Sequence, residues 1–355
     1  MKIGILTLPL HTNYGGILQA YALQTVLQQM GHDARHIVER QDTTEPTHNL
    51  LGLLKQRIKP FVPDFLSREY GRYTSRFVKR WIKQDCYSSL REIKPRDYDA
   101  IIVGSDQIWR NTYIRMSSFL HTAESCFLDF TKDWAIKRVA YAASFGTDSW
   151  ELGVQQTDTC RQLIKKFDRV SVREDSGILL CREHLGVAAN KVLDPTLLLT
   201  KQDYLKLFDH TVTKACGVMS YILDPSPAKK SIIECVTKKL GTKSFETNKL
   251  PNGRGCIQPP LENWLNSFDN ADFIVTDSFH ACVFAIIFNK PFLAIPNAAR
   301  GNSRITSLLT SVNQEFRLVS TSIHHLAFDK LMERPNCDIS QPREASLAFI
   351  NNSLR

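Results

Sequence analysis

One stretch constrains the fold more than any other: ADFIVTDSFHACVFAIIFNKPFLAIP, residues 271–296. Phe273 to Thr276 reads as a buried strand, Asp277 and Ser278 as a polar turn, His280 to Phe288 as an apolar helix, and Phe292 to Ile295 as a second strand. That order is a βαβ unit, and in such units a ligand usually sits in the crevice beyond the strand's carboxyl end. Here the crevice receives a carboxylate, a hydroxyl and an imidazole, at a helix N-terminus that itself attracts anions. A histidine at the head of an otherwise apolar helix is hard to explain as surface decoration, and its ordinary pKa suits a neutral-pH proton carrier. A purely structural alternative stands beside this one, with Asp277 and Ser278 capping the helix and His280 a satisfied core residue.

Strands alternate with helices along the whole chain. KIGILTL (2–8), DARHIV (33–38), DAIIVG (99–104), RVAYAASFG (138–146), RVSVR (169–173) and KVLD (191–194) read as a first series of strands. Helices are expected at 14–31 and near 155–166 and 174–184. A second series runs from CGVMSYIL (216–223) through a helix at 227–240, SFET (244–247) and a helix at 261–268 to the βαβ unit above. This alternation predicts an α/β protein with mostly parallel sheets covered on both faces. Two series imply two Rossmann-like domains facing across a cleft. We place them at 1–205, with a basic insertion at 45–97, and at 206–355, with a terminal segment at 340–355 crossing back onto the first.

A length of 355 residues suits two domains. No run of about 18 apolar residues exists to span a bilayer. The opening MKIGILTL reads as a first strand and not as a secretory leader. Nine cysteines without a CxxC pair argue against a disulfide framework and against a zinc site, so no metal is expected and a reducing cytoplasm is. The net charge of +9 is concentrated: residues 55–96 hold twelve Lys or Arg against four acids. Such a patch favours an anionic partner. No zinc-finger or RNA-recognition signature supports nucleic acid. Within the patch, LLGLLKQRIKPFVP (50–63) joins leucines to Lys55, Arg57 and Lys59, and Tyr70, Tyr73, Phe77 and Trp81 recur at helical spacing. Two readings follow, an amphipathic helix packed on its own domain and an interfacial patch on an anionic bilayer.

Other strand ends carry candidate ligand groups. Asn13, Gly15 and Gly16 follow the first strand, where paired glycines permit close backbone approach, although a tight turn without a ligand explains them as well. Ser105 and Asp106 follow DAIIVG, with Asp106 open between a helix cap and a substrate contact. Arg173 ends RVSVR, placed either for a grip on carboxylate or phosphate or for a salt bridge to a nearby acid.

TNYGGILQAYAL, YDAIIVGSDQIW, VAYAASFG, VSVREDSG, LDPTLLL and ADFIVTDSFHACVFAIIFNKPF occur in this order between residues 12 and 292, and together they resemble the polysaccharide pyruvyltransferase family. The resemblance implies a two-domain fold like that of GT-B glycosyltransferases with the active site between the domains. It also implies transfer of pyruvate from phosphoenolpyruvate onto two hydroxyls of a sugar, giving a cyclic ketal and phosphate. His280 matches the family's catalytic histidine, and Asp106 joins it as a catalytic candidate. Arg173 matches an arginine expected to bind phosphoenolpyruvate. Asn13, Gly15, Gly16, Ser105, Asp277 and Ser278 are the further substrate-binding candidates. Many relatives read Asp-Arg-Leu-His-Gly where this chain reads Asp277-Ser278-Phe279-His280-Ala281. With that arginine lost, Arg304 is the candidate replacement and Arg300 the second choice; either is otherwise a surface residue.

The implied partners are phosphoenolpyruvate as donor substrate, with no cofactor, and a sugar acceptor built on a lipid-linked oligosaccharide. The implied location is cytoplasmic, with peripheral contact at the inner face of the cell membrane. Two other readings stay open. A GT-B glycosyltransferase would bind a nucleotide sugar and ignore phosphoenolpyruvate, and a non-catalytic sugar-binding relative would explain the lost arginine.

Overall fold

The computed structural model describes residues 1–40, 70–117, 119–120, 122–209, 216–247, 250–251, 256–297, 300–319 and 328–355. Leu50 to Leu54, Lys55, Arg57 and Lys59 lie outside the described residues, as do residues 210–215 close to the expected domain boundary.

Two parallel sheets form the frame. The first has seven strands in the order β3-β2-β1-β4-β5-β6-β7. They are β1 Lys2–Leu6, β2 Asp33–Glu39, β3 Gln84–Tyr87, β4 Ala100–Val103, β5 Lys137–Ala143, β6 Arg169–Val172 and β7 Asn190–Lys191. In the second sheet, β13 (Phe292–Ala294), β12 (Phe273–Thr276), β8 (Val218–Tyr221) and β9 (Ser244–Glu246) lie side by side. A short antiparallel pair, β10 (Leu250–Pro251) with β11 (Cys256–Ile257), stands apart. The central strands AIIV and FIVT are buried at every position, as expected of parallel strands covered on both faces.

The helices that matter here are α1 (Tyr14–Gln29), α2 (Arg72–Trp81), α3 (Val154–Ile164), α4 (Asp175–Leu180), α5 (Pro227–Leu240), α6 (Leu261–Asn270), α7 (Phe279–Ile287), α8 (Ser303–Ser311) and α9 (Ser340–Leu354). Most of α1 and all but one residue of α7 are buried, which matches sequences apolar around the whole helix. These two helices carry one apolar core from sheet to sheet: Ile3, Ile5 and Leu23 belong to the same cluster as Met219, Ile274 and Phe284. At its centre Trp264 of α6 packs on Tyr14, with ring centroids 5.4 Å apart, and on Tyr221 at 5.3 Å. The halves are also tied by polar contacts. Ser307 of α8 donates to Asp175 Oδ2 at 2.7 Å and accepts from the Asp175 N–H at 2.9 Å. The last helix lies on the first sheet's side, where the Leu193 N–H reaches Ser346 Oγ at 3.0 Å and Arg343 Nε reaches the Leu197 carbonyl at 2.9 Å.

Strand order explains where a site can form. In the first sheet it reverses between β1 and β4, and in the second between β8 and β12. A crevice opens beyond the carboxyl ends of strands at such a switch point. The loops after β1 and β4, and those after β8 and β12, therefore meet across the seam.

The structure differs from the sequence reading in several places. β5 stops at Ala143 and β7 at Lys191, so Asp194 is not in a strand; it caps a 3₁₀ turn at Pro195–Leu198 through a bond from the Thr196 N–H. The helix expected at 174–184 is α-helical only to Leu180, then passes into a π-turn over Cys181–Leu185. Strand β3 was not foreseen, because QDCY is an edge strand with no apolar run to betray it. In the basic segment, α2 packs Phe77 and Val78 inward, with Phe77 6.2 Å from Tyr21 and 6.4 Å from Trp81. Self-packing thus describes this part of the segment, while Arg72, Arg76, Lys79 and Arg80 stay exposed.

Candidate active site

At the switch points the loops enclose a cleft of about 630 Å³. His11 to Asn13, Gly15, Gly16, Asp106 and Gln107 line it from the first sheet's side, and Tyr221 to Leu223, Asp277 to His280, Arg300 and Arg304 from the second.

His280 occupies the first turn of α7, 5% exposed. Its ring is pressed onto the start of α1: a Cβ placed on Gly15 would lie 2.0 Å from Nδ1 and 2.2 Å from Cγ. Gly15 therefore makes room for the catalytic candidate itself. The other ring nitrogen, Nε2, faces Asp194 Oδ2 at 3.7 Å, beyond hydrogen-bond length, and has no hydrogen-bond partner among the described residues. Gly16 keeps space for Asn13 and Asp106, whose Nδ2 and Oδ2 lie 3.4 Å apart.

Beneath His280 lies a buried ion cluster. Arg173 donates through Nη1 to Asp194 Oδ2 at 2.6 Å and through Nη2 to Asp106 Oδ1 at 3.1 Å. Its Nε lies 3.8 Å from Glu174 Oε2. Burial disfavours every charge here, yet the partners win. Asp194 is held far below the usual carboxylate range: burial opposes this, but the His280 imidazole, Arg173 and the Thr196 hydroxyl outweigh it. Asp106 is lowered in the same way by Arg173, His280 and Arg304 against its burial. Arg173 is raised because Asp194, Asp106 and Glu174 outweigh its desolvation.

Arg173 is thus neutralised below the cleft and is not among the cleft's lining residues. The expectation of a direct grip on substrate is corrected: two aspartates hold both guanidinium branches. Ser105 is likewise sunk in this layer, fully buried, with Oγ donating to the Ala142 carbonyl at 3.1 Å. Asp106 begins no helix. It stands in the left-handed region (φ 56°) and serves as ion partner and cleft wall.

On the opposite wall Asp277 is saturated. It accepts from Lys229 Nζ at 2.7 Å, Asn297 Nδ2 at 2.9 Å and the N–H groups of Leu223 and Asp224. Neither Asp277 nor Ser278 caps α7 through its side chain, since the carboxylate points to α5 and Ser278 makes no cap bond. Arg300 is paired with Asp224 by two bonds of 2.7 and 3.2 Å. Arg304 differs. It is 6% exposed, donates Nη2 to the Arg300 carbonyl at 2.7 Å, leaves Nε without a partner, and forms no ion pair among the described residues. Burial and the nearby charge of Arg173 push its pKa down to about 10, so it is still cationic at neutral pH. The Phe279 ring separates the two guanidiniums, 4.9 Å from Arg173 and 5.5 Å from Arg304.

Sequence reasoning missed Asp194, Lys229 and Asn297. Asp194 stood in a quoted motif, LDPTLLL, but only topology brings it beneath His280, 86 residues later in the chain. The chemical result is an imidazole and a guanidinium with no ion pair among the described residues facing one enclosed cleft, over a floor where Arg173 meets Asp106, Asp194 and Glu174. That combination can move a proton and hold an anion.

A family model described as polysaccharide pyruvyl transferase matches residues 13–298. No curated protein matches the chain. Among solved structures, a candidate UDP-N-acetylglucosamine 2-epimerase from Listeria monocytogenes aligns at TM-score 0.55 and 10% identity, over 99% of this chain and 96% of that one. The UDP-GlcNAc 2-epimerase from Neisseria meningitidis, solved with UDP-GlcNAc, aligns at 0.49 and 11%, over 100% and 99%. The Listeria comparison carries the fold alone: two Rossmann-like halves across a cleft, the GT-B arrangement.

Two predictions follow from the geometry. Gly15→Ala should lower turnover by about 10², the effect of roughly 1 Å of misplacement of a reacting group, and should also lower the melting temperature, since the new Cβ overlaps the buried His280 ring. Steady-state rates alongside a thermal melt check this, and an unimpaired rate would show that His280 need not sit against α1. Asp194→Asn removes the shortest of Arg173's ion pairs while Asp106 and Glu174 still face its charge, and should cost about 1–3 kcal/mol at neutral pH. Because the Asp194 carboxyl is depressed, its contribution is complete above the ordinary carboxylate range and is lost as pH falls toward its native value. Chemical denaturation of both proteins should therefore show the gap narrowing in acid.

Proposed function

The chain belongs to the polysaccharide pyruvyl transferase family, and we propose that it moves pyruvate from phosphoenolpyruvate onto two hydroxyls of a sugar. The observation that carries this reading is that His280 shares one cleft with Arg304, a buried cation with no direct ion pair among the described residues. In this scheme Arg304 receives the donor's carboxylate or phosphate, the role left open by Ser278. Asp194 faces the Nε2 edge of His280 with its carboxylate at 3.7 Å, and the imidazole exchanges the proton with the donor.

The steps balance. His280 protonates the methylene carbon of the enol phosphate, and the carbon bearing the phosphate becomes oxocarbenium-like. A first sugar hydroxyl adds there and gives up its proton to the neutral imidazole. The C–O bond to phosphate then breaks. A second hydroxyl adds to the same carbon and closes the ketal, its proton leaving on inorganic phosphate. One hydroxyl proton thus replaces the one delivered to the methyl group. Asp106, held ionised beside Asn13, adds negative charge facing the cationic carbon.

The acceptor in this reading is part of a lipid-linked oligosaccharide, met at an anionic membrane face. Among the described residues no helix is long and apolar enough to cross a membrane. The exposed Arg72, Arg76, Lys79 and Arg80 face of α2 supports a surface contact.

His280→Ala should reduce phosphate release from phosphoenolpyruvate by about 10²–10⁴, the usual worth of a positioned proton carrier, with the fold retained. Arg304→Ala should weaken phosphoenolpyruvate binding in calorimetry, and unchanged affinity would send the search to another cation. For the membrane contact, vesicles of acidic lipid should sediment wild type and not Arg72→Glu/Arg76→Glu/Lys79→Glu, and added salt should release it. Equal binding to neutral vesicles would remove this part of the reading.

A further inference from the structure

Two side chains that line the cleft each carry a buried polar atom unused by the donor chemistry above. Gln258 is 5% exposed and Trp264 is 1% exposed; both line the cleft, and neither Gln258 Oε1 nor Trp264 Nε1 has a partner among the described residues. Neither group is free to turn and find one. The Gln258 amide is pinned by Nε2 donating to the Thr12 carbonyl at 2.6 Å, which also fixes which end of the amide is nitrogen, and its backbone N–H reaches the Tyr70 carbonyl at 3.3 Å. The Trp264 indole is wedged among Tyr14, Tyr221 and Phe268, with centroids 4.6 to 5.4 Å away. Buried polar groups without partners are rare in native proteins, and a bound ligand is one standard reason for them.

The pair has a definite chemical character. One atom accepts, one donates, and neither is charged. A carbonyl oxygen repels an anion, so this wall does not suit phosphate or carboxylate. A hydroxyl both donates and accepts, and adjacent hydroxyls on a ring answer both atoms at once. A nucleobase edge would also offer a donor and an acceptor, but bases are commonly held by stacking on an aromatic face, and the Trp264 ring is already packed against four other aromatic rings. The place is also right for an acceptor: Trp264 packs on Tyr14, and the next residue, Gly15, lies against the His280 ring.

We propose that Gln258 and Trp264 form the subsite that holds the ring hydroxyls of a neutral pyranose, presenting its reacting pair to His280. This rests on the pyruvyl-transfer reading for the identity of the acceptor, and it assigns recognition to residues outside the donor site.

The probes are the methyl glycosides of glucose, galactose, mannose and N-acetylglucosamine, with uridine diphosphate as the competing chemistry. Binding is read by saturation-transfer NMR on the intact chain, and phosphoenolpyruvate binding by calorimetry on the same samples. At least one glycoside should bind wild type, weaken about tenfold in Gln258→Leu and measurably in Trp264→Phe, as expected when one buried hydrogen bond to ligand is lost. Phosphoenolpyruvate affinity should not move in either variant. Should Gln258→Leu fail to fold, Trp264→Phe, which keeps the ring packing, decides alone. Glycoside binding indifferent to the substitutions, no glycoside bound by wild type, or loss of uridine diphosphate binding in their place would each overturn the subsite. Failure of the pyruvyl-transfer reading looks different: glycosides bind and respond to the variants, and phosphoenolpyruvate does not bind at all.

Discussion

Everything at the cleft depends on one buried arrangement, the Asp106–Arg173–Asp194 ion cluster. Three loops of the first sheet, after β4, β6 and β7, end in those three residues, and the guanidinium ties them at 2.6 and 3.1 Å. Burial of three charges is costly, and the cluster persists because each charge has a partner in good geometry. Its upper surface is the carboxylate that faces His280 from the second sheet's side. The cluster thus locates the imidazole without touching solvent.

The two sheets serve this arrangement by sharing a core. Helices α1 and α7 are largely buried, and the aromatic group of Tyr14, Tyr221 and Trp264 fills the space between the halves. His280 approaches Gly15 so closely that no side chain fits between them. A rigid seam of this kind holds acid–base geometry, while the cleft above stays open to ligands. Charge is then distributed with economy. Arg173, Arg300 and Lys229 are each paired with carboxylates, and Arg304 stands buried with its Nε empty and no ion pair among the described residues.

Much of this was legible in the residues. The apolar strands FIVT and AIIV, the alternation of elements, and the glycines after β1 follow from periodicity and from backbone freedom, which are local properties. His280 was legible because a polar residue inside an apolar helix needs a reason. Arg304 was legible as a candidate to replace the arginine missing at Ser278, and it lies in the cleft wall. The role of Arg173 was not, since a strand-end arginine looks the same whether it meets a ligand or two aspartates. Asp194 reads as a turn-capping residue until the sheet order sets it under His280. Gln258 and Trp264 carry no local signal at all. Their unpartnered atoms become visible only when burial and hydrogen bonding are known together.

The central claim is that the imidazole of His280 delivers a proton to the methylene carbon of an enol phosphate held in this cleft. The most direct measurement runs the reaction in deuterium oxide with phosphoenolpyruvate and an accepted sugar, and examines the ketal product by NMR and mass spectrometry. The account predicts one deuterium in the new methyl group, one phosphate released per ketal formed, and loss of both in His280→Ala. Consumption of a nucleotide sugar while phosphoenolpyruvate stays intact, or a His280→Ala variant that still forms the deuterated ketal at the wild-type rate, would contradict it.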